Sequence, residues 1–235
     1  MRYYIPSKVI SIAHRGYSSK YKANTMKAFK NVKNKGFNMI ELDIQLCKTG
    51  EIVIYHDLFI ETRLIIEMTL KEIKKKKKSI PTLKEFFEHI DISETPIYLD
   101  MKGCDKLAHH LLAFLKTYSV DVDQVLACSY NKKHLDFLRK HLPDLRVGLI
   151  THNTFTRKEL DSFIDDIDVI VINWETLDHE TIKYCNEKHV PVLIYTVRYG
   201  FELKYIKDYD ITGILSNIRL FPSNEGYGIR RYVYR

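Results

Sequence analysis

The sequence predicts a single (β/α)8 TIM-type barrel, and three observations carry that prediction. Eight short apolar strands can be marked in order by His14, Glu41, Asp100, Ser129, Leu149, Ile172, Thr196 and Leu215, each after the first preceded by a helical pattern. The 235 residues suffice for one barrel-sized domain; no Pro/Gly/Ser-rich linker divides them, and a 45% hydrophobic share supports a full core. Polar and charged residues (His14, Glu41, Asp43, Asp100, Lys102) fall at strand carboxyl ends, where barrels assemble their sites. A doubly wound open sheet is the competing architecture, but no Gly-rich phosphate loop marks its usual site. One domain therefore spans 1–235, with residues 58–80 as a short insertion.

Each element has its own signal. Val9 to Ala13 is a short apolar strand running into His14-Arg15-Gly16. Asn24 or Thr25 can cap a helix that carries Met26, Phe29 and Val32 on one face, with Gly36 as its stop. From Met39 to Leu46 the residues alternate, so Glu41, Asp43 and Gln45 share one face while Ile40, Leu42, Ile44 and Leu46 share the other. Cys47 to Gly50 is too short for a parallel crossover, so Glu51 to His56 should return antiparallel and bring His56 back to the acidic pair. Residues 58–80 are weakly patterned and contain the Lys74 to Lys78 run. Thr82 and Glu85 then form a capping box that opens a helix through Phe86, Phe87 and Ile90. Pro96 to Lys102 is a strand with Tyr98, Asp100 and Lys102 on one face. Strands Val125 to Tyr130, Arg146 to Thr151, Val169 to Trp174, Val190 to Val197 and Thr212 to Ser216 follow, separated by helices through Leu111, Leu135, Leu160, Ile182 and Phe201 to Ile206.

Bulk properties narrow the class. The net charge is +7, with 37 basic against 30 acidic residues, but much of it lies in the lysine run and in Arg230, Arg231 and Arg235. Such a run reads as a solvated loop or helix face, and no nucleic-acid partner is expected. Cys47, Cys104, Cys128 and Cys185 are scattered without zinc spacing and read as reduced thiols of an intracellular protein. The start, Met1 to Pro6, has no apolar signal region and no stretch is long enough to span a bilayer, so a soluble cytoplasmic protein is expected. The aromatic-rich tail from Tyr227 to Arg235 could cover the barrel or contact a partner, and nothing in the sequence chooses between them. Most histidines (His109, His110, His134, His141, His179, His189) fall on or beside helical patterns and read as surface; His89 and His152 are uninformative. Trp174 reads as pocket lining or core.

The stretch from His14 to Asp57 holds the chemistry. Two carboxylates two residues apart on one strand face stand about 7 Å apart along the backbone, close enough for both side chains to reach one ion. An arginine and two histidines in the same run add a phosphate contact and proton carriers, the groups that divalent-metal phosphate-ester chemistry needs. Unpaired carboxylates on a strand this apolar would cost several kcal/mol each without a cation.

These residues resemble the glycerophosphodiester phosphodiesterases, whose fold is a phospholipase-C-like barrel. The resemblance runs over most of the chain, through His14-Arg15-Gly16, Asn24-Thr25, Glu41-Leu42-Asp43, His56-Asp57, Pro81-Thr82-Leu83, Leu99-Asp100-Met101-Lys102, Thr196-Val197 and Gly213-Ile214-Leu215-Ser216. It implies His14 and His56 as the acid/base pair, Glu41, Asp43 and Asp100 as ligands to Mg²⁺ or Ca²⁺, and Arg15 and Lys102 as phosphate contacts. The implied reaction releases sn-glycerol 3-phosphate and an alcohol from a glycerophosphodiester. Four positions depart from the family pattern: Ala23 for a Glu, Asp100 for a Glu, Ser216-Asn217 for Thr-Asp, and Tyr195 for a pocket Trp. The alternatives are a lysophospholipase D or sphingomyelinase D-like phosphodiesterase on the same barrel, and a catalytically weakened barrel that binds phosphate groups.

Overall fold

The computed structural model describes residues 9–33 and 35–220; the tail from Tyr227 and the start Met1 to Pro6 lie outside the described residues. In chain order the elements begin with β1 (Ile10–Ala13), α1 (Met26–Lys30), β2 (Met39–Leu46) and β3 (Ile52–Ile54). The insertion contributes β4 (Phe59–Ile60), β5 (Arg63–Leu64) and α2 (Leu70–Lys76), and α3 (Leu83–Phe87) follows. Then come β6 (Ile97–Met101), α4 (Lys106–Thr117), β7 (Val125–Ser129), α5 (Lys132–His141), β8 (Arg146–Thr151) and α6 (Arg157–Asp161). The chain continues through β9 (Val169–Asn173), α7 (His179–Glu187), β10 (Val192–Val197), α8 (Leu203–Ile206) and β11 (Gly213–Ser216).

Eight of these strands run parallel in the order β1-β2-β6-β7-β8-β9-β10-β11, and β11 pairs back with β1, closing the barrel. Closure leaves two faces to fill. The inward face carries Ile12, Tyr98, Leu126, Cys128, Ile150, Val171, Leu193 and Leu215, a plug of bulky side chains in the barrel interior. The outward residues Ile40, Leu42 and Ile44 pack instead against the helices, as with Leu107, Leu111 and Leu115 of α4 at helical spacing. The sheet leaves little space at places: a Cβ on Gly148 would stand 2.6 Å from Cys128 Sγ, so β8 approaches β7 there only because the position has no side chain.

β2 is twice as long as β1, and that difference builds the site. β1 pairs with its first residues (Ala13 opposite Ile40) and then ends. Beyond that point the same edge of β2 is taken by β3, antiparallel, with Leu46 opposite Ile52 and Ile44 opposite Ile54. The antiparallel return expected from the four-residue connection is observed.

Two expectations need correction. Residues 58–80 are not unpatterned: they form the β4–β5 hairpin and α2, with their own core of Cys47, Val53, Ile60, Ile65, Met68, Ile73 and Ile80. The missed signal is a capping box, Thr69 with Glu72, that starts α2. Lys74, Lys75 and Lys76 of the lysine run occupy the last turn of α2, where cations complement the helix dipole, and Lys77 is its C-cap. His134 is not a surface residue. It is buried, bonded through Nδ1 to Ser129 Oγ at 3.0 Å and through Nε2 to the Cys104 carbonyl at 2.9 Å. It sits at the first turn of α5, on the face turned to the barrel, and its two polar atoms find partners at the ends of β7 and β6.

Candidate active site

β2 alternates as its sequence dictates, so Glu41 and Asp43 point into the barrel and are almost fully buried. β6 pairs with β2 in a register that sets Asp43 opposite Asp100. Side chains opposite each other in a pair share a face, so Asp100 points the same way. Oxygen atoms of Glu41, Asp43 and Asp100 all lie within 4.8 Å of one another. Although Asp100 is short, it reaches the other two.

Two cations lean on this trio. Lys102 Nζ is 2.7 Å from Asp100 Oδ2 and 3.2 Å from Asp43 Oδ1. Arg15 Nε is 3.1 Å from Asp43 Oδ2, and its backbone N–H donates to Glu41 Oε2 at 2.5 Å. Asn24 Nδ2 donates to Asp43 Oδ2 at 2.6 Å, so the residue expected only as a helix cap also clamps the central carboxylate; Thr25 is the cap. The loop that delivers Arg15 is tightly turned, with φ of +59° at Arg15 and +76° at Gly16. A Cβ on Gly16 would stand 2.9 Å from the carbonyl carbon of Ala28, so only glycine lets the loop lie against α1.

The electrostatics divide the trio. Burial, with the charges of Asp43 and Asp100, pushes Glu41 well above the ordinary carboxylate range. Burial pushes Asp100 up to about 6, Lys102 opposing and Asp43 adding. Burial works on Asp43 too, but Lys102 and Arg15 more than offset it and hold it low. Asp43 and Asp100 each keep a buried Oδ1 without a hydrogen-bond partner, Lys102 approaching the first without hydrogen-bond geometry. Buried acids with raised pKa and orphaned oxygens form a set of hard donors that fits a divalent cation.

The two histidines flank the trio from different elements. His14 ends β1, and its Nδ1–H donates to Asn217 Oδ1 at 2.7 Å, which leaves Nε2 as an acceptor. Burial and then Arg15 lower its pKa to about 4, the Asn217 bond partly opposing, so the ring is neutral at pH 7. His56 follows β3, half-exposed, with Nδ1 2.8 Å from Asp57 Oδ1. Gln45, two residues beyond Asp43 on the same strand face, donates to the carbonyls of Tyr55 at 2.6 Å and Asp57 at 2.9 Å and so brackets His56. The His56 ring adds to the field at His14, Asp43 and Asp100.

A polar aromatic wall stands opposite. The Tyr195 hydroxyl donates to the Thr151 carbonyl at 3.0 Å and therefore accepts from Tyr130, 2.5 Å away. The Tyr130 oxygen in turn takes the Nε2–H of His152 at 2.9 Å, and Asn173 Nδ2 donates to His152 Nδ1 at 3.0 Å. Every proton in the chain has one possible direction. Tyr195 stands in this hydrogen-bonded wall, while Trp174 lies to one side, stacked on Tyr205 with ring centroids 6.4 Å apart.

The nine residues singled out in the sequence fall at one end of the barrel. Asn24, Gln45, Asn217, Tyr130 and His152 were not assigned as site residues, because each acts through a contact made on another element, from 10 residues away for Gln45 to 203 for Asn217. Gln45 carried a signal in its place on the acidic face of β2, and Asn24, Tyr130 and Asn217 lay in or beside the motifs of the resemblance without a role assigned to them; His152 carried none. Together the groups can hold a cation, neutralise a bound phosphate with Arg15 and Lys102, and accept or donate protons through two imidazoles.

Comparison with known proteins places this geometry. A family model described as the Glycerophosphoryl diester phosphodiesterase family matches residues 14–218. A glycerophosphodiester phosphodiesterase of Caldanaerobacter subterraneus subsp. tengcongensis is 31% identical over 163 residues, covering 61% of this chain and 67% of the relative. Among solved structures, an Oleispira antarctica phosphodiesterase in complex with the product sn-glycerol-3-phosphate superposes with a TM-score of 0.76 at 22% identity, covering 90% of this chain and 94% of that one. A Thermotoga maritima glycerophosphodiester phosphodiesterase gives a TM-score of 0.75 at 22% identity, covering 90% and 95%. The two structures share the barrel.

Proposed function

The chain belongs to the glycerophosphoryl diester phosphodiesterase family and is a phosphoric diester hydrolase of glycerophosphodiesters; from that premise we propose how its residues divide the work. The reaction yields sn-glycerol 3-phosphate and an alcohol. Glu41, Asp43 and Asp100 hold a divalent cation, Mg²⁺ or Ca²⁺, which when bound supplies positive charge to the phosphoryl oxygens. With a cation held by the carboxylates, Arg15 and Lys102, which now pair with Asp43 and Asp100, would be the cations available to a bound phosphate. Desolvation by burial would lower the Lys102 pKa, but the carboxylates of Asp100 and Asp43 outweigh it and keep the ammonium charged.

His14 is the general base. It is neutral, and Asn217 holds its Nδ1–H so that Nε2 faces the reaction with a lone pair. His56 is the general acid: with its Nδ1–H directed to Asp57, the imidazolium form carries on Nε2 the proton given to the leaving alkoxide, and the Asp57 carboxylate supports that form. The attacking oxygen, from water or from the substrate's own glycerol hydroxyl, gives its proton to His14 as it bonds to phosphorus and the ester P–O bond to the alcohol breaks; a cyclic phosphate formed by the second route is opened by water with the two rings exchanging roles. Pre-set charge at the phosphoryl group is expected to supply most of the acceleration and each imidazole roughly 10²–10⁴-fold. The alcohol side of the substrate lies against the Tyr130–Tyr195–His152 wall.

One observation supports this reading above the others: two buried carboxylates and the partly buried Asp100 within 4.8 Å, two of the three with orphaned oxygens, between two histidines delivered by β1 and β3. The test is release of glycerol 3-phosphate from glycerophosphocholine, with His14→Ala and a chelator as controls. Activity lost in both, and restored by returning the cation, is the expected result. No turnover on glycerophosphocholine or lysophosphatidylcholine, with phosphate binding intact, would leave only a phosphate-binding barrel.

A further inference from the structure

The mouth of the barrel is greasier than the rest of the molecule. Among the described residues, the large apolar side chains left exposed are Leu58, Phe59, Tyr130, Tyr199, Phe201 and Tyr205, with Tyr118 the one that lies elsewhere, at the far end of α4. Leu58 and Phe59 follow His56-Asp57 and open the β4–β5 hairpin. Tyr199 and Phe201 follow the end of β10 and stack on each other with ring centroids 5.7 Å apart. Tyr205 stacks on Trp174, which begins the loop after β9. Two apolar patches therefore stand on either side of one open site. Single exposed apolar residues need no explanation, but a set gathered at one end does.

Positive charge lies beside the first patch. Lys77 reaches back from the end of α2 to Tyr55, its Nζ 4.7 Å from the ring centroid, which ties the lysine run to the residue before His56. Lys74 pairs with Glu85 and Lys76 with Glu61, whereas Lys71, Lys75 and Lys78 are exposed and have no acidic partner among the described residues. At the second patch, Lys204 Nζ lies over the Tyr205 ring. The whole chain carries +7.

We propose that this rim is a docking face for an anionic lipid surface, so that the site opens onto the headgroup layer of a bilayer or micelle. Tyrosine and phenylalanine seat at the boundary between headgroups and acyl chains, and lysines beside them are drawn to anionic lipid. A protein seated on both patches would cover the site between them; a lipid surface brings phosphodiesters to it. The inference takes from the proposed function only that the substrate is a glycerol phosphodiester, and binding is measured without turnover, so either can fail alone.

The test is co-sedimentation with phosphatidylcholine vesicles, with and without phosphatidylglycerol, at low and high salt. Wild type is expected to bind the anionic vesicles and to be released by salt. Tyr199→Ser with Phe201→Ser, and separately Leu58→Ser with Phe59→Ser, should weaken vesicle binding about tenfold or more. Reversing Lys71, Lys75 and Lys78 to Glu should weaken it about fivefold per residue. All variants should keep wild-type turnover of soluble glycerophosphocholine, which reports that they fold. Absence of binding to either vesicle overturns the proposal. So does binding that survives the apolar substitutions, or a wild-type dimer that those substitutions dissociate, which would assign the rim to a second copy of the chain.

Discussion

Asn217 sets the working state of His14 by being neutral. Its side-chain oxygen accepts the Nδ1–H of His14 at 2.7 Å, but it carries no charge that would draw a proton onto the ring, and burial and Arg15 keep the pKa at about 4. Asn217→Asp should keep the hydrogen bond and add a carboxylate, which raises the His14 pKa. Because the general base proposed for His14 must be neutral, the acid limb of kcat/KM should move to higher pH, read from a pH–rate profile. The same pKa bears on stability. His14 titrates near 6.5 unfolded and near 4 folded, so the unfolded chain binds more protons between those values. Its contribution is present above pH 6.5 and lost as pH falls toward 4. Asp100 acts with the opposite sign: its folded pKa of about 6 lies above the unfolded value of 3.8, so its contribution is present at low pH and lost as pH rises through 6. In cation-free protein the two should partly cancel between pH 4 and 6, as measured by melting temperature against pH.

β2 and its return strand form the element on which the site depends. Outrunning β1 gives β2 a free edge, β3 fills it, and Gln45 fastens the chain that follows by the carbonyls on either side of His56. Gln45→Leu should leave the fold in place, since the side chain is buried and leucine is of similar volume, but free the His56 segment. The expected loss in kcat is about 10²-fold, the scale for a misplaced catalytic group. Gly16→Ala should be worse for stability. The backbone there sits at φ +76° and an added methyl meets the Ala28 carbonyl carbon, so a loss of about 1–3 kcal/mol is expected from denaturant unfolding. What could be read in advance follows the same division. Met39–Leu46 was visible because its alternation is local and strict, and the hairpin because four residues cannot span a crossover. Residues 58–80 were not, since their helix is announced by one Thr69–Glu72 box inside a charged run. His134 was misplaced because helical spacing alone did not say which face of α5 meets the barrel. Asn217 could be named only as a departure, its partner being 203 residues away.

At the scale of the whole molecule, closure of the barrel brings β1, β2, β6 and β11 together, and so His14, the carboxylates, Lys102 and Asn217. No described helix is long and apolar enough to cross a membrane. The cost of the arrangement is concentrated charge: three acids and two cations share one buried end. A divalent cation relieves it, so Mg²⁺ or Ca²⁺ should raise the melting temperature at pH 7.5 by mass action, and less below pH 6, where Asp100 gains a proton. The claim on which the account rests is that Glu41, Asp43 and Asp100 act as one cation site. Calorimetric titration of the cation-stripped protein at pH 7.5 tests it most directly. The account predicts one cation per chain, bound with proton release, and at least a tenfold loss of affinity in Glu41→Gln and in Asp100→Asn. Undiminished affinity in both variants, or no binding by the wild type, would contradict it.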